Sequence, residues 1–410
     1  MKKVNRWVIL IASCLINLCI GSVYAWSIFA SPMAVHLSGV TGTEITPAQL
    51  AIVFTVANLL GPVTMITGGK INDTLGPRMV LLAGGVMFAA GLILSGFAKS
   101  VGMLILGYGI IAGLGLGFAY GCTISNSVKF FPDKKGLIGG ICTASYGLSS
   151  VLLPPIATVL IEKLGITSTF QVLGIVFGVI VCGASLFVQK CPPGYAPEGY
   201  VAQAGSAVAA PVDKDWKEML KSPVFYIMLA ILLCGAFSGM MCISQAASIA
   251  QGMIGMSVSL SATAVSVLAL FNASGRILAG RLSDVIGRIH TLSLGCLVEV
   301  AGLFCLFCCR EGSVVLFFAG IAMIGIAFGT FMGVYPGFTA DQFGTKNNSV
   351  NYGIMFIGFA AAGYLGPVTM KNIYGQTGAY KMAFLVAIAI GVLGLLLTLM
   401  ISTLLKREKT

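Results

Sequence analysis

The chain has 410 residues, 57% of them hydrophobic and only 9% charged, with a mean hydropathy of +0.98. Ordinary soluble domains carry roughly a quarter of their residues as charges, so this composition excludes a water-solvated globular fold and points to lipid as the solvent. The net charge of +11 would suit a nucleic-acid binder, but its distribution along the chain follows membrane topology instead.

Apolar runs of about twenty residues recur from end to end. Each is long enough to cross a hydrocarbon core as a helix, which satisfies its own backbone hydrogen bonds. They predict twelve spans, near 7–30, 47–69, 79–98, 102–127, 137–160, 167–189, 222–250, 258–280, 289–309, 313–338, 350–370 and 379–404: an all-α polytopic membrane protein. The first span follows MKKVNRW in the manner of a secretory signal. Its apolar run is too long for one, and no small-residue cleavage site with polar flanks follows, so it is expected to remain as helix 1. Tyr24 and Trp26 lie on helix 1, Tyr120 on helix 4, Gln245 on helix 7, and Phe331 and Tyr335 on helix 10. The longest polar stretch, 190–221, is rich in Pro, Gly and Ala and ends in charges, the composition of a linker. It separates 1–189 from 222–410, with six predicted spans on each side.

The two parts repeat one pattern. The loop after helix 2 reads GKINDTLGPR (Gly69 to Arg78) and the loop after helix 8 reads GRLSDVIGR (Gly280 to Arg288), with Asp73 and Asp284 set 211 positions apart. Helix 4 carries Gly113, Gly117 and Gly121, and helix 10 carries Gly325, Gly329 and Gly333, an offset of 212. A near-constant offset across separate motifs argues for a duplicated six-helix unit. The glycine stripes themselves predict close helix–helix approach.

Charge supports the same topology. With the N-terminus inside, eighteen of the 24 Lys and Arg fall in cytoplasmic segments, and five (Lys99, Lys163, Arg310, Lys371 and Lys381) fall outside. That bias predicts both termini on the cytoplasmic side of the cell membrane. The twelve cysteines lie almost all in predicted spans and read as small lipid-compatible hydrophobes; no metal and no cofactor is expected.

The one basic residue left over is Arg276, in the apolar run ALFNASGRILAGRLSDVIGR. A guanidinium within a span costs at least about 2.5–3.5 kcal/mol on insertion scales. Snorkelling to the headgroups is the plain explanation. Geometry opposes it: helix 8 runs outside to inside, and side chains lean toward a helix's N-terminus, which aims Arg276 back toward the membrane centre. Asn272, one turn earlier, shares its face. The only acid well inside a predicted span is Glu299, on helix 9. The empty site is therefore cationic, and an anionic substrate would complete it; a guanidinium fork suits a carboxylate.

The loop motif G-x-x-x-D-x-x-G-x-R, its echo after helix 8, and twelve spans with a central linker resemble the major facilitator superfamily along essentially the whole chain. The resemblance implies two pseudo-symmetric six-helix bundles, 1–189 and 222–410. It also implies that Asp73, Arg78, Asp284 and Arg288 form a cytoplasmic charge relay that gates alternating access, and that helix 9, with Glu299, is peripheral. YAWSIFASP (Tyr24–Pro32), FFPDKKG (Phe130–Gly136), FNASGR (Phe271–Arg276) and DQFGTKNNSVNYG (Asp341–Gly353) are together similar to the oxalate–formate antiporters, close to the monocarboxylate transporters. That family's oxalate carrier uses an Arg on helix 8 and a Lys on helix 11. Aligned on NYG, the Lys position falls at Phe359, so the second cation is missing and one carboxylate is implied. Monocarboxylate transporters place an Asp four residues before the helix 8 Arg, where this chain has Asn272. Protons therefore use another group, or the carrier exchanges anions.

The expected activity is secondary transport of a monocarboxylate of the lactate, pyruvate, formate or acetate class, and not an enzymatic reaction. Arg276, Asn272, Tyr120, Tyr24, Trp26, Phe331, Tyr335, Phe359 and Gln245 are the candidate substrate-binding residues. The expected partners are the carboxylate, a co-transported proton or exchanged anion, and lipid, with the chain working as a monomer and no nucleic acid bound. An oxalate or other dicarboxylate antiporter is the alternative. A sugar carrier would need more cavity amides and carboxylates, a cationic-drug exporter a cavity carboxylate, and an organophosphate exchanger a base opposite Arg276, where Met65 stands.

Overall fold

A computed structural model describes residues 5–197 and 213–407. The middle of the predicted linker, 198–212, lies outside the described residues, as do Lys2, Lys3 and Lys409 of the charge count. Among the described residues, eleven helical segments are long and apolar enough to cross a membrane. One of them, Lys135–Ser185, has 51 residues and leaves helical geometry at Gly165 (φ 77°, ψ 165°). At 1.5 Å per residue its 51 residues would reach about 75 Å, more than twice a ~30 Å hydrocarbon core, so it holds two passes. The helices are α1 (Arg6–Thr41), α2 (Ala51–Leu75), α3 (Pro77–Ser95), α4 (Val101–Phe130), α5 (135–164), α6 (166–185), α7 (Pro223–Ile254), α8 (Val258–Ile286), α9 (Arg288–Cys308), α10 (Val314–Phe343), α11 (Asn348–Thr377) and α12 (Lys381–Arg407). No strand occurs among the described residues.

Local chemistry starts and stops these helices. Asn5 accepts a hydrogen bond from the Trp7 amide, Ser100 from Met103 and Ser257 from Leu260, each satisfying a donor that the first turn leaves free. Pro77 and Pro223 open α3 and α7, where the missing N–H costs nothing. Asp215 and Glu218 form a reciprocal capping box on the short helix Trp216–Lys221 that leads into α7. Large apolar side chains such as Val35, Leu75, Val179 and Val315 are exposed on outer faces, a surface suited to acyl chains. Cys305 and Cys308, a C-x-x-C pair near the end of α9, are free thiols, as are the other cysteines.

The chain divides into two compact units, Met1–Phe131, Ser145–Pro197 and Lys346–Ile354 in the first, Pro132–Ala144, Glu198–Thr345 and Met355–Thr410 in the second. The first turns of α5 thus belong with the C-terminal helices, and the start of α11 with the N-terminal ones. In the first unit α4 packs on α1, α2 and α3; in the second α10 packs on α7, α8 and α9. These are the same pairings displaced by six helices.

The glycine stripes explain how these hubs pack. A methyl group at Gly113, Gly117 or Gly121 would meet Ala57, Gly61 with Thr64, and Met65 of α2. At Gly325, Gly329 or Gly333 it would meet the backbone of Leu268, Asn272 and Arg276 on α8. Small residues let the backbones touch, and in the second unit that contact falls on the Asn272–Arg276 turn.

The loop glycines have a different cause. Gly76 (φ 104°, ψ 171°) and Gly287 (φ 92°, ψ 156°) occupy a backbone region open essentially to glycine alone, and each turns the chain from one helix directly into the next. Gly287→Ala should destabilise the protein by about 1–3 kcal/mol, read as a lower melting temperature in detergent. Gly39→Ala is the control: a methyl there meets nothing within 4 Å and should leave the melting temperature unchanged or raise it slightly.

Candidate functional site

Arg276 is 1% exposed, so its guanidinium lies inside the second unit and not at a headgroup surface. Nε donates to Asn272 Oδ1 at 2.9 Å, one turn earlier on α8, and Nη1 donates to the backbone carbonyl of Thr143 on α5. The guanidinium carbon lies 5.9 Å from the centroid of the Phe328 ring. Phe328 continues to Phe359 (6.2 Å), and Phe359 stacks on Phe356 (4.5 Å, 27°) where α11 is interrupted. No carboxylate pairs with Arg276 among the described residues. The result is a cation held by neutral acceptors above an aromatic floor, with Phe359 part of that floor.

Glycines seat this arginine on two sides. Gly329 and Gly333 bring α10 onto its backbone, and a methyl at Gly140 of α5 would meet the Arg276 carbonyl. The acceptor from Thr143 is a main-chain atom, so no side-chain pattern announces it. Phe328 carried no signal beyond its place in the glycine stripe of α10.

Other residues singled out in the sequence have partners of their own. In the second unit the Phe331 ring covers Gly235 of α7 and Gly295 of α9, and the Tyr335 hydroxyl donates to the Met228 carbonyl at 2.7 Å. Gln245 is half-buried on α7, and the hydrogen bonds of Arg276 go to Asn272 and Thr143 instead. In the first unit a turn of tighter helix, Gly21–Ala25, bends α1. There Tyr24 meets Tyr146 edge-on at 4.9 Å, and Tyr120 meets Tyr146 at 4.7 Å. Tyr146, the centre of this trio, is followed by Gly147 as Tyr120 is by Gly121, a signal too common in this chain to mark it. Trp26 packs at 4.6 Å on Tyr108, and its Nε1 is buried without a hydrogen-bond partner.

The loop acids cap helices. Asp73 accepts from the backbone amides of Ser349 and Val350 at 3.2 and 3.3 Å, at the start of α11. It also accepts from Ser349 Oγ and pairs with Lys129 Nζ at 2.6 Å. Asp284 accepts from the amides of Gly136 and Leu137, both at 2.8 Å, at the start of α5, and pairs with Arg288 at 2.7 Å. Arg288 also binds Asp341, which binds Lys135. A carboxylate suits free amides at the positive end of a helix. Arg78, expected in a charge relay with Asp73, donates its guanidinium to the Leu186 carbonyl at 2.6 Å, and the ion-pair partner of Asp73 is Lys129 from α4.

A bundle of twelve membrane passes, duplicated in its packing and holding a buried cation, is a multi-pass membrane transporter of the carrier type. The chain belongs to the Major Facilitator Superfamily, whose family model matches residues 9–298 and 246–410. It is 32% identical over 358 residues to an uncharacterized MFS-type transporter, YhjX, of Escherichia coli, covering 87% of this chain and 85% of that one. It is 30% identical over 370 residues to the oxalate:formate antiporter of Oxalobacter formigenes (88% and 83% covered). Monocarboxylate transporter 12 of Xenopus laevis is 27% identical over 345 residues (78% and 73%). Among solved structures, the human organic anion transporter MFSD10 superposes with a TM-score of 0.75 at 14% identity, covering 97% of this chain and all of that one (100%). That likeness supports the fold.

The caps are directly testable. Asp284→Asn removes a charged acceptor from two amides, each bond worth roughly 1.5–3 kcal/mol. Hydrogen exchange across 135–140 should accelerate at least about tenfold, while Arg78→Ala should leave exchange at 348–351 unchanged.

Proposed function

We propose that the protein is a secondary carrier of small monocarboxylates, of the lactate, pyruvate, formate or acetate class, working by alternating access. The observation that carries this reading is the buried guanidinium of Arg276, with which no carboxylate among the described residues pairs. A substrate carboxylate supplies the missing charge and accepts paired hydrogen bonds from the planar fork. Asn272 orients the guanidinium through Nε, and the ligand engages Nη2 together with Nη1 once it displaces the Thr143 carbonyl. Phe359 offers a ring where a second cation would be needed to hold a second carboxylate. A dianion would therefore leave one buried charge unpaired, at a cost of several kcal/mol. The relatives named as an oxalate:formate antiporter and as monocarboxylate transporters support a small organic acid as the substrate class. Phe331 and Tyr335 are assigned to packing within the second unit.

In the same reading Asp73 and Asp284, with Lys129 and Arg288, latch the carrier. Each holds the first turn of a helix from the other half of the sequence, so a change of access requires those caps to break and re-form. The positive-inside bias supports cytoplasmic termini.

Arg276→Gln should lower lactate uptake into proteoliposomes on the order of 100-fold, since removing one partner of a buried charge pair costs about 2–5 kcal/mol. Arg276→Lys should recover little of it, because an ammonium cannot form the fork. Wild type should take up lactate, pyruvate or formate in preference to oxalate; oxalate bound as tightly as these would sink the monocarboxylate reading. Asp284→Asn should slow turnover more than it weakens equilibrium binding.

A further inference from the structure

Arg276 and Glu299 are the only fully buried charged side chains among the described residues, 1% and 0% exposed. They have opposite charge, lie in the same unit and form no ion pair. Glu299, on α9, accepts a hydrogen bond on Oε1 from the Ser238 hydroxyl of α7. Its other oxygen, Oε2, is buried with no partner. The titratable neighbours are the thiols of Cys234 and Cys242 on α7 and Cys296 on α9. From α10, Tyr335 faces those thiols, with its hydroxyl on Met228. From α12 the backbone at Gly391 faces it, where a methyl would come within 3.6 Å of the carboxyl carbon. On α8, Arg276, Arg281 and Asp284 make no ion pair with Glu299, and no Lys, Arg or His among the described residues pairs with it.

This carboxyl connects to the arginine through packing. Ser238 is followed by Gly239, whose surface lies against the Phe328 ring, the same ring that Arg276 overlies. One turn before Glu299, Gly295 lies against Thr330 and the Phe331 ring. The junction of α7, α9, α10 and α12 is lined by Gly235, Gly239, Gly295, Gly391 and Gly394, so its helices touch with little side-chain volume between them.

We infer that Glu299 is the proton-binding site of the carrier, the partner of Arg276 in an electroneutral proton–monocarboxylate symport. The inference rests on the carboxylate reading of Arg276. Charge arithmetic links the two sites. With both empty, the guanidinium and the carboxylate sum to zero; with an anion on Arg276 and a proton on Glu299, the sum is again zero. Either half-loaded form carries one uncompensated charge in a low-dielectric interior, which disfavours its conformational change. Anion and proton therefore cross together. The step is a simple protonation: a proton from water on one side binds a carboxylate oxygen and leaves as the same proton on the other.

The test uses the full-length protein in proteoliposomes with labelled lactate and protein-free vesicles as the leak control. Wild type should accumulate lactate about tenfold for each pH unit of inward acid gradient, the ratio that one proton per anion sustains, with no response to membrane potential. Glu299→Gln should keep lactate-for-lactate exchange and lose accumulation. Ser238→Ala keeps the acid and removes its hydrogen bond; the pH of half-maximal uptake should move by about one unit, the size of one bond to a charged group. Accumulation by Glu299→Gln, an unmoved profile in Ser238→Ala, or wild-type exchange indifferent to the gradient would overturn the proton site while leaving the carboxylate reading intact. Absence of both lactate exchange and lactate accumulation in wild type would overturn both.

Discussion

The structure is organised around one uncompensated positive charge in an apolar interior. A guanidinium removed from water must be held by other dipoles or it will drag its helix toward a surface. Here the dipoles are an amide side chain one turn away, a backbone carbonyl from α5, and the face of an aromatic ring. The last two demand that a helix come unusually near α8, and the glycines of α10 and α5 permit it. The same scaffold in the first unit brings Gly121 onto Met65, the position that answers to Arg276 in the repeat. A duplicated unit has thus kept its packing and diverged in the one residue that carries charge.

The loops show the same economy with a different outcome. Asp73 and Asp284 do one job, capping the first turn of a helix, at two places 211 positions apart. Their counter-charges come from different elements. Lys129 reaches in from α4, whereas Arg288 sits one turn beyond Asp284 and extends to Asp341 and Lys135. Repetition of sequence conserved the acid and its helix end, not the base.

Much of this was legible in the residues. Twelve spans followed from hydropathy because lipid leaves a backbone no alternative to helices. The packing stripes followed from glycine spacing because only small residues bring helix axes that close. Arg276 stood out by cost alone, and Asn272 by its helical offset. The motifs FFPDKKG and DQFGTKNNSVNYG drew notice as phrases. Their use as cap sites and ion-pair partners, through Lys135, Gly136, Asp341 and Ser349, needed the fold. Thr143 was invisible because its contribution is a carbonyl, which every residue possesses. The partners of Arg78 and Asp73 needed the fold, because proximity in a loop does not fix where a long side chain lies: Arg78 reaches the Leu186 carbonyl, and Lys129, a helix away in sequence, pairs with Asp73. Glu299 was visible as an anomaly. Only the arrangement of Ser238, Gly239 and Phe328 relates it to the arginine.

On the carboxylate reading of Arg276, its bond to the Thr143 carbonyl sets the protein's own backbone in competition with the ligand. Any molecule that engages this nitrogen must first displace a peptide oxygen already in place. A carboxylate gains by the swap, because bonds between ionised groups are roughly twice as strong as those to neutral acceptors. An ester or amide of the same acid offers one neutral carbonyl in exchange for another and gains nothing. On that reading, discrimination between an acid and its neutral derivatives rests on the backbone of α5.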